Sequence, residues 1–97
     1  MVTRLVTVTA ASDFSLKPTG DQINRITVRE DPSVSGYPTV AWKFKGAGSA
    51  DYVQRSPGEQ ETWELNRGYW DPVAQTPLAL LQVLSGSTTF QIREERM

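Results

Sequence analysis

The sequence contains no cysteine and no histidine. Without cysteine there are no disulfides, zinc thiolate sites, iron–sulfur clusters or thiol nucleophiles. Without histidine the commonest general base and the commonest metal ligand are missing, so Ser-His-Asp, Cys-His and His-metal mechanisms are excluded. An excess of one charge is lacking too: 10 Lys+Arg stand against 11 Asp+Glu, a formal net charge of -1. The basic residues are scattered from Arg4 to Arg96, with only Lys43/Lys45 and Arg93/Arg96 as close pairs. Binding to nucleic acid calls for a basic face or stripe, so nucleic acid is not an expected partner. Long apolar runs are also missing. Leu78-Ala79-Leu80-Leu81 is far short of the ~20 residues that span a bilayer, and no continuous apolar stretch of the signal-peptide kind follows Arg4. No membrane partner is expected, and a chain that starts at its Met with no such signal is expected to be made and folded in a cytoplasm.

What is present is a chain of 97 residues with 38% hydrophobic content. That length allows one core, burying about 65% of the surface the unfolded chain would expose, and leaves no room for a second. Residues 1–97 are therefore expected to form a single domain. Period-two alternation dominates. Val2 to Thr9 sets Val2, Val6 and Val8 against Thr3, Leu5, Thr7 and Thr9, and its Val/Thr content suits a pleated surface. A polar stretch, Ser12 to Gln22, reads as a connection. Ile23 to Glu30 places Ile26 and Val28 inward with Arg25, Thr27 and Arg29 outward. Thr39 to Lys45 opposes Val40, Trp42 and Phe44 to Ala41, Lys43 and Lys45. A short segment around Tyr52-Val53-Gln54 and the run Glu61 to Leu65 come next, separated by the turn signal Ser56-Pro57-Gly58. Asn66 to Thr76 reads as an irregular excursion. Leu80–Leu84 and Thr88–Glu94 close the chain as a pair of strands, joined through the hairpin-like turn Ser85-Gly86-Ser87, with Thr88, Phe90 and Ile92 inward. Residues 77–84 also fit a short helix capped by Thr76 with Pro77 at its first position. The strand is favoured, since only about two turns would fit before Gly86.

About seven short strands, with turn signals about every ten residues, predict an all-β fold: an antiparallel β-sandwich or jelly roll. Its interior is expected to hold Val6, Val8, Ile26, Val28, Val40, Trp42, Phe44, Trp63, Leu65, Leu81, Val83, Phe90 and Ile92.

Little chemistry is on offer. Asp and Glu alone can hydrolyse glycosides when two of them flank a cleft, but Glu30/Asp31 and Glu59/Glu61/Glu64 read as surface charge, and Glu94/Glu95 as part of a C-terminal tail. Gly46 to Ala50 lacks the Lys-Ser/Thr pair of a phosphate loop, and no segment carries the spaced Asp/Asn of a calcium loop. No catalytic, cofactor-binding or metal-binding residue is expected. Tyr69 and Trp70 are the candidate contact residues: two large aromatics in a non-alternating segment, suited to stacking on a sugar ring or anchoring a protein partner.

Ser56-Pro57-Gly58-Glu59 before an alternating strand, Leu81-Gln82-Val83-Leu84-Ser85-Gly86-Ser87, the strand Thr89-Phe90-Gln91-Ile92-Arg93-Glu94 and the earlier Asn24-Arg25-Ile26-Thr27-Val28 carry a resemblance. Over Ile23 to Glu94 the chain resembles small all-β proteins of tailed bacteriophage particles, among them head-decoration and head-fibre β-sandwiches. The resemblance implies a non-enzymatic, structural protein of the virion that attaches to a capsid or tail and associates with itself, as a trimer in preference to a dimer. The first strand, with Leu5 opposite Val6 and Val8, is more apolar than a half-exposed edge requires; an oligomeric contact would explain it, and burial between two sheets would as well. The alternative from another class is a small carbohydrate-binding module using Tyr69 and Trp70; a minimal carboxylate enzyme ranks below both.

Overall fold

The structure is a computed structural model that describes residues 2–10, 12–19, 23–33, 35–37, 40–46, 50–64 and 78–96. The strands are β1 (Val2–Thr9), β2 (Phe14–Leu16), β3 (Ile23–Glu30), β4 (Trp42–Gly46), β5 (Val53–Arg55), β6 (Gln60–Glu64), β7 (Ala79–Val83) and β8 (Ser87–Arg96). They form two four-stranded antiparallel sheets, ordered β1-β8-β3-β6 and β2-β7-β4-β5. The pairing has a simple logic: β1 pairs with β8, β2 with β7, β3 with β6 and β4 with β5. A long antiparallel ribbon is thus wound on itself, and the β3–β8 and β4–β7 ladders join its turns within each sheet. This is the jelly-roll form of the sandwich.

The bounds of β1 and β3 coincide with those read from alternation. Residues 79–83 are strand, with Ala79, Leu81 and Val83 buried. Strand β4 begins at Trp42 and not at Thr39, and the layout of the strands departs from the sequence reading in two further ways. The polar connection contains β2, whose Leu16 is fully buried. And β7 and β8 are not a hairpin: they lie in different sheets, so residues 84–86 carry the chain across the sandwich. Gly86, at φ 63, supplies the left-handed backbone for that crossing, where a side chain would be strained. The Ser56–Glu59 connection, from β5 to β6, crosses the same way. Its Glu59 N–H donates to the Ser56 carbonyl at 3.1 Å and Gly58 sits at φ 87. Proline at the second and a positive-φ glycine at the third position are the marks of a type II turn.

The core lies between the sheets. Trp42 is fully buried and meets Phe90 of the opposite sheet edge-on, ring centroids 5.2 Å apart. Phe44 continues the row from Trp42 and packs edge-on against Trp63 at 5.3 Å, again across the sheets. Val8, Ile26, Val28, Leu81, Val83, Phe90 and Ile92 are buried as expected, while Val6, Val40, Phe44 and Trp63 are half-buried against them. Leu65 lies outside the described residues.

Three carboxylates are buried that composition alone assigns to the surface: Glu30, Asp31 and Glu94. Glu94 belongs to β8 and faces inward two residues beyond Ile92, so it is not part of a tail. Each is supplied with hydrogen-bond donors, as burial of a charge requires. Thr88 Oγ1 donates to Glu30 at 2.6 Å, Ser33 donates to Asp31 from both its amide and its hydroxyl, and Glu94 accepts from Thr19 and Arg4.

Candidate interaction edge

Tyr69 and Trp70, the contact candidates of the sequence, lie outside the described residues. Among the described residues, no group of three or more Asp and Glu gathers as a metal site would need. There is likewise no helix long and apolar enough to cross a membrane. The described surface offers two organised features instead, one on each sheet.

On the outer face of the β2-β7-β4-β5 sheet, the Tyr52 hydroxyl donates to Asp13 at 3.1 Å and Gln82 donates to the same carboxylate oxygen at 2.6 Å. The ammonium groups of Lys43 and Lys45 stand 4.4 and 4.9 Å from the centre of the Tyr52 ring. The alternation of β4 puts both lysines outward, and β5 brings Tyr52 alongside them. Partial burial, then the hydrogen bond to Asp13 and its negative charge, push the Tyr52 hydroxyl above the usual phenol range. This is a self-satisfied polar patch that ties the start of β2 to β4 and β5.

The second feature is the free edge of the other sheet. In the order β1-β8-β3-β6, β1 is terminal, and it is an eight-residue strand. The direction of its backbone groups follows from one bond. The Ala10 amide donates to the Gly86 carbonyl at 2.7 Å, so that, in the Val2↔Glu94 to Thr9↔Ser87 register, the even-numbered residues exchange bonds with β8. In an antiparallel ladder the residues between them point their N–H and C=O groups the other way. The amides and carbonyls of Thr3, Leu5, Thr7 and Thr9 therefore face outward along the edge.

The side chains at the same positions lie on the outer face and are exposed, Leu5 at 58%; Val2, on the inner side at the start of the strand, is exposed at 40%. Proteins that stay single protect such an edge with brevity, charge, proline or a bulge. The other three edges use these devices. Strands β2 and β5 have three residues each. Strand β6 carries Glu61 and Glu64, paired with Arg55 at 2.6 Å and Arg25 at 2.9 Å. Strand β1 has one charge, Arg4, and it turns inward to Glu94 at 3.3 Å and to the Lys17 carbonyl at 2.7 Å. Its outer row is left neutral: threonine, leucine, threonine, threonine. The sequence marked this strand through Leu5; which groups face the edge depends on strand order, which alternation does not encode.

No family model and no curated protein matches the chain significantly. Among solved structures, the chain is similar to a de novo designed double-stranded β-helix determined by solution NMR, at 23% identity and a TM-score of 0.61. The match covers 98% of this chain and 100% of the designed one. The likeness is one of fold. It agrees with the paired ribbon wound between two sheets described above.

Proposed function

We propose that the chain is a non-enzymatic structural protein that works through protein–protein contacts, as a component of a tailed-phage particle such as a capsid decoration, head fibre or tail subunit. The observation that supports this reading most is the long, neutral, unprotected edge of β1, with Leu5 58% exposed at its middle. Repeated assemblies use such edges, because backbone pairing supplies affinity and the projecting side chains supply specificity. The composition fits the same role. A chain without cysteine or histidine brings no redox-sensitive thiol and none of the common nucleophile–base pairs. In this reading the protein is made in the host cytoplasm and ends in the virion, with a second copy of itself and a larger capsid or tail as partners.

Density-gradient sedimentation tests it. The tagged chain is expressed with the genes that flank its own, and particle-sized fractions are probed for the tag. Co-sedimentation with capsid- or tail-sized particles is the expected result. Recovery only at the top of the gradient, with particles present lower down, would overturn the proposal.

A further inference from the structure

We infer that β1 pairs antiparallel with β1 of a second copy, about a two-fold axis through Leu5, joining the two β1-β8-β3-β6 sheets into one. This rests on the assembly reading above and names its first contact.

The register follows from the backbone. Among the described residues only the odd-numbered ones of β1 turn their N–H and C=O groups outward along the edge, so two copies must match odd to odd. Registers centred on Leu5 and on Val6 both overlap seven residues of β1, and only the first gives the exposed Leu5 an apolar partner: Leu5 faces Leu5 of the second copy, and Thr3 faces Thr7 on either side. That arrangement satisfies three exposed needs together. It covers Leu5, which is otherwise in water. It bonds the edge amides and carbonyls. And it sets Thr3 against Thr7 in the cross-strand threonine pairing that this face already uses twice, at Thr7–Thr89 and Thr27–Thr62, each 3.1 Å between hydroxyl oxygens. No charge opposes it, because Arg4 is held inward by Glu94. The β6 edge, by contrast, carries the exposed carboxylate of Glu64, a charge of the kind that guards an edge strand.

Identical strands paired antiparallel are related by a two-fold axis, so the contact closes as a dimer. A dimer therefore takes the place of the trimer that the virion resemblance implies. The paired strands overlap for about 23 Å at ~3.3 Å per residue, a single-strand contact that belongs with the small interfaces. The association is accordingly of the weak, concentration-dependent kind.

The absence of cysteine makes oxidative cross-linking a clean test. Residues facing each other in a hydrogen-bonded pair are about 5.5 Å apart between Cα atoms, inside the roughly 4.4–6.8 Å that a disulfide bridges. In the proposed register Thr3 and its own copy are offset by about 13 Å along the strand and out of reach. Under mild oxidation, Leu5→Cys should form the disulfide dimer at least about tenfold faster than Thr3→Cys or Thr7→Cys alone. A mixture of Thr3→Cys and Thr7→Cys should give the mixed dimer. Equal rates for all variants, or no mixed dimer, would overturn the pairing. Cross-linking failure with intact co-sedimentation removes this contact and leaves the particle assignment. The reverse result keeps the pairing and removes the particle.

Discussion

Arg4 and Glu94 meet at 3.3 Å across the β1–β8 pair, the carboxylate wholly buried between the sheets and the guanidinium at their rim. The same guanidinium donates to the Lys17 carbonyl at 2.7 Å, so one side chain fastens β1 to the chain that leaves β2 in the opposite sheet. The contact has a second effect: it withdraws the single charge of β1 from the edge.

Removing Arg4 while keeping Glu94 should be costly. Arg4→Met leaves a buried carboxylate with fewer donors, and the loss should be about 2–3 kcal/mol by equilibrium urea unfolding. Replacing the charge itself, Glu94→Gln, should cost less than Arg4→Met. A larger loss in Glu94→Gln would mean that the carboxylate charge is worth more to the fold than the burial cost it carries.

Trp42 spans the sandwich, and its indole N–H has no hydrogen-bond partner among the described residues. Trp42→Ala should cost about 3–5 kcal/mol through the cavity it leaves. Trp42→Phe should lose distinctly less, because it keeps an aromatic ring against Phe90 and removes a buried donor whose desolvation is unreturned. Thermal melts of both variants check the order.

Tyr52 should ionise above the ordinary phenol range, raised first by partial burial and then by Asp13. A raised folded value means that the folded chain holds the proton more tightly. The stabilising contribution is then fully present below the unfolded value and is lost as pH rises through the folded one. NMR titration of the Tyr52 ring carbons should show the raised midpoint. Asp13→Asn should bring it part of the way down, leaving the share due to burial.

The Ser56–Glu59 turn has a conformational and an electrostatic component. Gly58→Ala should cost about 1 kcal/mol at its positive φ. Glu59 accepts the Ser56 amide at 2.8 Å, and that bond, with help from the Ser56 hydroxyl and Arg55, holds its carboxyl below the usual range. A lowered folded value stabilises above the unfolded one and is lost as pH falls through the folded one. The stability of Glu59→Gln should therefore differ from wild type at neutral pH and converge with it in acid.

The alternation of Val2–Thr9 and Ile23–Glu30 was enough to place two strands and their inward faces, because each has one more buried side and β-branched residues at half or more of its positions. The same alternation carried Glu30 and Glu94 inward, behind Val28 and Ile92. Charge argued the other way, and what reconciles the two is the set of donors from Thr88, Thr19 and Arg4, which come from distant parts of the chain. Strand β2 was hidden because three residues with one buried leucine make no period. Strand order was hidden too, so β7 and β8 looked like neighbours across a tight turn. At the candidate edge, Leu5 was legible as an apolar residue on the wrong face. The outward backbone groups beside it became visible only once β1 was known to be terminal.

Light scattering coupled to size exclusion, on wild type and Leu5→Lys side by side at rising micromolar concentration, tests self-association through β1 most directly. The wild type should approach twice the 10.8 kDa of one chain, and Leu5→Lys, with a charge placed at the centre of the paired edge, should stay at one. A wild type that remains at 10.8 kDa throughout, or a Leu5→Lys variant that associates equally well, would contradict it.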